Sequence, residues 1–487
     1  MLRPWQTKLW LKDCDGESIH AKLVNRLTAD IQKGRLTPGM MIPGSRSMAQ
    51  QLGINRKTVQ SAYEELEAQG WLVSQARRGT FVSDVLPEQE ISIENLRLLD
   101  IARETRSAGG LLSELYQDVL SGVEAVFGAN DGIPDVRLIP YEVLSRAYRR
   151  ALIQSVRQRS LGYGDPRGTK ELRLAIQRML KMERFVHVEL EQICTVRGSQ
   201  MGIFIASRVL DPKKGVIVLE ELSYPPAQAS FESCGFEVVR CRIDEHGLDI
   251  EDLQRILAEH QVAGLYTTPH HQYPTTVCMS MERRLKLLSL SRSHRFSIVE
   301  DDYDHEFHYE SRPIPPLASL PESENVIHIG SLSKVFAPGL RLGYMVADQH
   351  FIDRAAQEIL LIDRQGNSVT ELALAELMDS GEVKKHIRKT RKLYQSRRDF
   401  SIQEFLRVFG EDVSFSVPAG GMAIWVNIEN LIDERNIEKL KHSDFHTETL
   451  FGKEGEKSNH IRFGFGALTE QEISSSIKQL SILLHRN

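Results

Sequence analysis

The sequence predicts an α/β protein in two parts: a small N-terminal module of helices closed by a hairpin, and a larger body built on a mostly parallel β-sheet. Three observations predict this. The 487 residues are too many for one hydrophobic core. The first 85 residues show helical periodicity interrupted by Gly and Pro, whereas from residue 126 onward short apolar runs alternate with helical segments. The charge also divides, with 12 Lys and Arg against 8 Asp and Glu in residues 1–85, and 49 against 58 in the remainder.

Composition limits the class of protein. The charged fraction of 26% and the hydrophobic fraction of 41% are typical of globular domains. No apolar run approaches the roughly 20 residues that span a membrane, and the N-terminus lacks the features of a signal peptide. The five cysteines are scattered without a C-x-x-C pair, which favours reduced thiols over disulfides or a zinc site. We therefore expect a cytoplasmic protein with no membrane partner, and the basic N-terminal module suggests a polyanionic partner for that part alone.

The first predicted helix begins at Ile19 in the stretch IHAKLVNRLTADIQKG. The residues expected on its buried face follow helical spacing: Ile19, Leu23, Leu27 and Ile31. Gly34 and the Pro-Gly pairs at 38–39 and 43–44 then interrupt the chain. This helix is the support on which a second pair of helices can pack.

Two shorter helices joined by a tight turn follow in SRSMAQQLGINRKTVQSAYEELEAQGWL. Gly53 makes the turn and Asn55 caps the second helix. The buried face of that helix is predicted to consist of Val59, Ala62, Tyr63 and Leu66. Its polar and basic N-terminal end suits the major groove of DNA.

A hairpin with a basic loop at 75–79 follows in GWLVSQARRGTFV. Such a loop is placed to contact phosphates or the minor groove. Residues 15–83 as a whole resemble the winged helix-turn-helix domain of GntR-type transcription regulators. We expect DNA contacts from Arg46, Arg56, Lys57 and Thr58, with Arg77 and Arg78 in the wing. The alternative is an ordinary helical domain with a solvated basic face.

In the body, the runs GVIVLE, AGLYTT, FSIVED and NVIHIGS indicate strands buried on both faces. Ligands bind beyond the carboxyl ends of such strands. Polar clusters fall at these ends, at 220–224, 267–273, 301–303 and 331–334. The strand ends therefore predict one shared pocket.

Residues 126–485 resemble the fold-type-I, aspartate-aminotransferase-like enzymes that use pyridoxal 5′-phosphate. The segment SLSK followed by APGLR resembles the family's cofactor-binding segment, which implies that Lys334 is the Schiff-base and catalytic lysine. A lysine must lose its proton to attack an aldehyde, and a partly apolar, cation-rich pocket favours that loss. Asp301 in EDDYD matches the partner of the pyridine nitrogen, and a carboxylate there keeps that nitrogen protonated.

The resemblance implies further roles around the same pocket. Tyr303 matches the phenol that hydrogen-bonds the cofactor ring oxygen, and Tyr224 the aromatic residue that stacks on the ring. Arg462 matches the arginine that binds a substrate carboxylate, and Tyr163 the tyrosine that reaches the phosphate of a neighbouring subunit. The residues expected at the phosphate are Ser199, Gln200, Ser331, Ser333 and Arg341.

One departure from that family concerns the usual Asn-Pro-Thr-Gly. Here it is Tyr273-Pro274-Thr275-Thr276, so both the asparagine and the glycine are replaced. Cofactor binding remains expected, while the case for efficient turnover is weaker.

We expect no metal site. The acidic run after residue 300 lacks an oxygen-rich glycine loop. Adjacent side chains on a strand point to opposite faces, so His270 and His271 are interpreted as loop histidines. Residues 84–125 carry no strong motif and suit a linker with partial helix.

The combination of a GntR-like winged helix with an aminotransferase-like body resembles MocR-type regulators. It implies a homodimeric transcription regulator that binds operator DNA and senses pyridoxal phosphate or an amino compound through Lys334. Two alternatives remain: an active aminotransferase that carries a DNA-binding domain, and a DNA-binding protein whose enzyme-like half serves only for dimerisation.

Overall fold

The computed structural model describes residues 18–75, 78–84, 86, 132–158, 161–309, 314–332, 334–432, 439–440, 443, 445–447 and 459–484. The chain forms two compact units, Met1–Ser121 and Gly122–Asn487. The predicted linker 84–125 lies outside the described residues, except for residues 84 and 86. Arg77 and Ser333 also lie outside the described residues. The boundaries 15–83 and 126–485 therefore stay predictions.

Within its described residues, the N-terminal unit has three helices and a small antiparallel sheet in the order β1-β3-β2. Strands β2 and β3 form the predicted hairpin on either side of the wing loop. The elements are α1 (Ile19–Gln32), β1 (Met41–Ile42), α2 (Ser45–Leu52), α3 (Arg56–Ala68), β2 (Leu72–Gln75) and β3 (Gly79–Val82).

Local signals start and end these helices as the sequence predicts. Gly53 adopts φ 65°, the left-handed conformation that a glycine allows after α2. The Asn55 side chain accepts a hydrogen bond from the Lys57 backbone N–H at 2.8 Å. The predicted inner face of α3 is buried throughout. In α1 the prediction is wrong for Ile19, which is 51% exposed, because it is the first helical residue and its Cβ points back beyond the core.

The larger unit is organised around a seven-stranded sheet in the order β4-β12-β11-β10-β9-β5-β6. Strand β12 is antiparallel to its two neighbours and every other pairing is parallel. The four apolar runs singled out in the sequence form β5, β9, β10 and β11. The strands of this sheet are β4 (Ile193–Val196), β5 (Val216–Glu220), β6 (Val238–Cys241), β9 (Val262–Thr267), β10 (Ser297–Asp302), β11 (Val326–Ser331) and β12 (Gly343–Val346). Two short strands, β7 (Ile243–Asp244) and β8 (Gly247–Leu248), form a separate antiparallel pair.

Helices cover this sheet. They are α4 (Tyr141–Gln158), α5 (Lys170–Met179), α6 (Ser199–Val209), α7 (Pro225–Ser233), α8 (Ile250–Glu259), α9 (Met281–His294), α10 (Gln349–Ile362) and α11 (Ser368–Asp379).

A second layer, nearer the C-terminus, has its own core. The long helix α12 (Glu382–Phe409) and the final helix α13 (Glu470–Leu484) pack on an antiparallel sheet in the order β13-β15-β14. Its strands are β13 (Ala423–Asn427), β14 (His446–Thr447) and β15 (His460–Gly464). Among the described helices, none is both long and apolar enough to cross a bilayer.

Candidate cofactor pocket and nucleic-acid interface

Asp301 lies near the carboxyl end of β10, the central strand of the large sheet. Its Oδ2 accepts a hydrogen bond from the Tyr266 hydroxyl at 3.0 Å. Its Oδ1 is buried and has no hydrogen-bond partner among the residues that the structure describes. Burial raises the pKa of Asp301 to about 7, although the Tyr266 hydrogen bond and the charge of Lys334 act in the opposite direction. Such a carboxylate offers one oxygen to a cationic donor.

Lys334 follows the end of the neighbouring strand β11 and is half-buried. Its backbone N–H donates to the Ser331 Oγ at 3.4 Å. Its Nζ lies 4.5 Å from the centre of the Tyr303 ring, within range of a cation–π contact. The positive charge of Lys334 lowers the pKa of Asp301, which indicates that the two side chains lie near each other. The structure thus brings Lys334, Asp301 and Tyr303 together, as the sequence predicts.

Three tyrosines form one wall of this pocket. The Tyr224 and Tyr273 rings are 5.3 Å apart and nearly perpendicular, and the Tyr273 and Tyr303 rings are 6.2 Å apart. The Tyr303 hydroxyl donates to the His271 carbonyl at 3.0 Å, and burial raises the pKa of this phenol well above its usual value. Tyr273, which replaces the family's asparagine, therefore supplies an aromatic surface in place of an amide donor.

Arg462, on β15, approaches the same wall from the smaller sheet. Its side chain is buried, and its guanidinium carbon lies 4.5 Å from the centre of the Tyr273 ring. Its Nη1 donates to the Pro274 carbonyl at 2.6 Å. A guanidinium fixed on two sides in a buried position is suited to bidentate binding of a carboxylate.

The predicted phosphate end lies at the start of α6. Gly198 adopts φ +79°, and a Cβ at this position would lie 2.9 Å from the Arg341 Nη2. Arg341 donates to the Arg197 carbonyl at 3.2 Å, so its guanidinium lies against the helix start that Ser199 opens. Positive charge at a helix N-terminus forms an anion site.

The side chain of Gln200, another residue predicted at the phosphate, makes its hydrogen bonds elsewhere. The Gln200 side chain donates to the Ser230 Oγ at 3.0 Å and to the Pro226 carbonyl at 3.3 Å. Its amide NH₂ is thus directed to α7 and not to the predicted phosphate end. Ser331 is buried at the end of β11. Tyr163 is 78% exposed, with the Arg364 guanidinium carbon 3.8 Å from its ring centre.

Sequence reasoning placed Glu220 in the polar cluster at the end of β5 but missed the hydrogen bonds of its buried carboxylate. The Glu220 carboxylate accepts from the Thr267 hydroxyl at 2.6 Å and from the Gln272 amide at 3.1 Å. Gln272 also donates to the Leu222 carbonyl at 2.7 Å, and burial raises the pKa of Glu220 to about 7. Tyr266 was missed as well, although its place on β9 beside Asp301 could have suggested it.

The two adjacent histidines differ from the expectation in one respect. His270 and His271 do lie in the loop after β9, but both are buried and their ring centres are only 4.7 Å apart. The reason is that a loop is free of the alternation that separates neighbours on a strand.

In the N-terminal unit, most of the described residues predicted to contact DNA are exposed. Arg46, Arg56 and Lys57 are exposed, and none of them forms an ion pair within the described part of the chain. Thr58 is half-buried. Arg78 is exposed in the wing, with its guanidinium carbon 5.9 Å from the Phe81 ring centre. Unpaired basic groups at the start of a helix can bind phosphates.

Fold and site together define a class: a transcription regulator in which a winged helix-turn-helix unit is joined to an aminotransferase-type domain. The chain belongs to the aminotransferase class I and II family, whose model matches residues 136–480. Residues 20–82 match the model of the bacterial regulatory proteins of the gntR family. The architecture is that of MocR-type regulators.

Individual proteins agree with this assignment. The "uncharacterized HTH-type transcriptional regulator YdeL" of Bacillus subtilis is 28% identical over 470 residues, which cover 95% of this chain and 96% of that protein. The "probable rhizopine catabolism regulatory protein MocR" of Rhizobium meliloti is 27% identical, over 92% of this chain and 93% of that protein. The crystal structure of a multiple substrate aminotransferase from Thermococcus profundus is 27% identical with a TM-score of 0.69, and covers 78% of this chain and 96% of its own.

The family and its solved relatives indicate pyridoxal phosphate as the cofactor, and the residues present fit it. The Asp301 Oδ1 lacks a partner within the described structure, as an oxygen reserved for a protonated ring nitrogen would. A Cβ at Gly198 would meet the Arg341 guanidinium, so the glycine allows this cation to lie against the helix start, where it can bind an anion. Lys334 follows both features in the chain, and its charge acts on Asp301.

Proposed function

We propose that this protein is a DNA-binding transcription regulator that senses pyridoxal phosphate or an amino compound at Lys334. The observation that carries the proposal is the grouping of Lys334 with the buried Asp301 and Tyr303 in a chain that also has a DNA-reading unit. A dimerisation scaffold has no need of a buried aspartate with an unpartnered oxygen and a lysine charge nearby. Since its target would be chromosomal DNA, we place its action in the cytoplasm.

Each residue would have one task in holding the cofactor. Lys334 would hold it covalently, and Asp301 would bind the ring nitrogen through Oδ1 while Tyr266 holds Oδ2. Tyr303 would donate to the ring oxygen in exchange for its bond to His271. Ser199, Ser331 and Arg341 would bind the phosphate, with Ser333 assigned on the sequence alone. When bound, pyridoxal phosphate supplies an aldehyde that reacts with amines and a ring that withdraws electrons.

Arg462 would confer preference for an effector that carries a carboxylate. Its Nη1 donates a hydrogen bond to the Pro274 carbonyl, and its guanidinium group lies over the Tyr273 ring. A carboxylate that bound here would compete with the Pro274 carbonyl and would pull on the loop 272–276. That loop adjoins Tyr303 through His271. The same loop therefore connects effector binding with the cofactor residues, and a shift between two conformations is how such a signal could reach the DNA-binding unit.

We propose a homodimer as the functional unit. Tyr163, which would reach the phosphate of the other subunit, is exposed in the single chain. Two winged units in one dimer would bind two half-sites of an operator.

A working aminotransferase is the second candidate function. Arg462 favours it, because substrate carboxylates are bound by such arginines, whereas Tyr273 in place of the asparagine argues against it. In that case a small amount of the full-length protein would transfer amino groups from an amino acid to a keto acid over many turnovers. The regulator requires only one binding event for each change in DNA affinity.

The test compares the wild type with Lys334→Ala and with Lys213→Ala, an exposed lysine outside the pocket. Binding to DNA fragments upstream of the neighbouring genes is measured with and without pyridoxal phosphate. We expect the cofactor to change the DNA affinity of the wild type and of Lys213→Ala, and to leave Lys334→Ala unaffected. An identical cofactor response in Lys334→Ala would refute sensing at this lysine.

A further inference from the structure

Four histidines from the loop after β9 and from residues 305–308 lie buried together: His270, His271, His305 and His308. Their side chains are 2%, 2%, 7% and 8% exposed. The ring centre of His270 is 4.7 Å from that of His271, 4.5 Å from that of His305 and 5.8 Å from that of His308. Buried imidazoles normally satisfy their ring nitrogens with hydrogen bonds. Four buried histidines in one place therefore require an explanation.

His270 is the member whose nitrogens are least accounted for. Neither of its ring nitrogens has a hydrogen-bond partner among the described residues, and both are buried. Leaving a buried polar atom unsatisfied costs about 1–3 kcal/mol. In a neutral imidazole one of the two ring nitrogens carries a lone pair, and at His270 no described residue occupies it. A neutral imidazole with a lone pair is the form that binds metal ions.

His271 is arranged in the way that metal-binding histidines usually are. Its Nδ1 lies 2.7 Å from the Asp304 Oδ1. A carboxylate that accepts the proton of one ring nitrogen fixes the ring orientation and leaves the lone pair on the other nitrogen. That other nitrogen, Nε2, is buried with no hydrogen-bond partner in the described part of the structure.

We propose that His270, His271 and His308 bind one divalent transition-metal ion of the zinc type, with Asp304 orienting His271. One ligand nitrogen from each of the three histidines can be chosen so that all lie within 4.8 Å of one another. Zinc binds imidazole at about 2.0–2.1 Å, so tetrahedral ligands lie about 3.4 Å apart. The nitrogens need to approach one another by at most about 1.4 Å. Zinc is the probe of choice, since imidazole ligands suit it and it has no geometric preference of its own.

A second triad, His270, Asp302 and His305, also has its ligand atoms within 4.8 Å. It is the poorer site for a cation. The Asp302 Oδ2 is paired with the Arg184 Nη1 at 2.9 Å, and both side chains are buried. A fixed guanidinium that close would repel a divalent ion. No arginine or lysine is paired with His271 or Asp304 in the described structure.

The test uses the full-length protein prepared without a histidine tag and titrated with Zn²⁺ alone. We expect one Zn²⁺ per chain, at least 10-fold weaker binding in His270→Asn and in His308→Asn, and 10–100-fold weaker binding in Asp304→Asn. His305→Asn, a change in the same cluster outside the proposed set, serves as the matched control and should bind as the wild type does. Loss of binding in His305→Asn with retention in His308→Asn would overturn the ligand set.

A measurement on the wild type covers the case in which these variants fail to fold. X-ray absorption of the Zn²⁺-loaded protein should show three imidazole nitrogens at about 2.0 Å. Ligation by sulfur at about 2.3 Å, or the absence of stoichiometric Zn²⁺ binding, would refute the site.

Discussion

The Tyr266 hydroxyl, on β9, donates a hydrogen bond to the Asp301 Oδ2, on the adjacent strand β10, at 3.0 Å. This bond occupies one oxygen of the carboxylate, and the other is buried with no hydrogen-bond partner among the described residues. It also favours the ionised form of an aspartate that burial otherwise keeps protonated. Tyr266 is therefore a positioning residue for the cofactor.

Tyr266→Phe should weaken pyridoxal phosphate binding by about 10-fold, because a hydrogen bond to a charged group is worth about 1.5–3 kcal/mol. Tyr344→Phe is the matched control. Tyr344 is equally buried, on β12 of the same sheet, and its hydroxyl has no hydrogen-bond partner in the described structure. The cofactor affinity of each variant is read from absorbance titrations. Equal affinities for the two variants would show that Tyr266 does not support Asp301.

Asp301 should make the stability of the cofactor-free protein depend on pH. Its pKa is about 7 in the fold against 3.8 ordinarily, so it keeps its proton when the unfolded chain has lost it. Its contribution to the free energy of unfolding is complete below about pH 4 and is lost as the pH rises toward 7. The difference corresponds to roughly 4 kcal/mol.

Asp301→Asn removes this contribution, while Glu220, with a similarly raised pKa, keeps its own. Urea unfolding between pH 5 and 7 should therefore show a smaller decrease in the free energy of unfolding for the variant than for the wild type. A variant whose stability decreases as steeply as that of the wild type would mean that Asp301 is already ionised in the fold.

Thr276 occupies a backbone conformation that favours glycine. Its φ is 64°, and a β-branched residue there costs about 1–2 kcal/mol. Thr276→Gly should raise the free energy of unfolding by roughly 0.5–1 kcal/mol, since the added freedom of the unfolded chain offsets part of the gain. Thr276→Ala keeps a Cβ and should gain less. Chemical denaturation measures the free energy of unfolding of both variants. A lower value for Thr276→Gly than for the wild type would contradict the claim that Thr276 is strained.

Arg56, at the start of α3, is exposed and has no ion pair within the described residues. Arg56→Ala should weaken operator binding and reduce the slope of log affinity against log salt by about 1. The cofactor absorbance should be unchanged. Arg35→Ala is the control, because Arg35 is already paired with Asp30 at 3.1 Å. Unchanged affinity in Arg56→Ala would place the DNA-reading surface elsewhere.

Local patterns predicted the elements, and long-range contacts decided the details. Four apolar runs were enough to predict the central strands, and Asn55 was enough to predict the start of α3. The direction of the Gln200 amide depends on α7, about 30 residues further on, which no local pattern encodes. The histidine cluster joins the loop after β9 to residues 305–308 and was invisible for the same reason.

The central claim is that the Lys334 amine holds the cofactor covalently. The full-length protein is mixed with pyridoxal phosphate, reduced with borohydride and digested, and its peptides are examined by mass spectrometry. The account predicts a phosphopyridoxyl group on the peptide that contains Lys334, at one group per chain. Label spread over exposed lysines such as Lys213, with Lys334 unmodified, would contradict it.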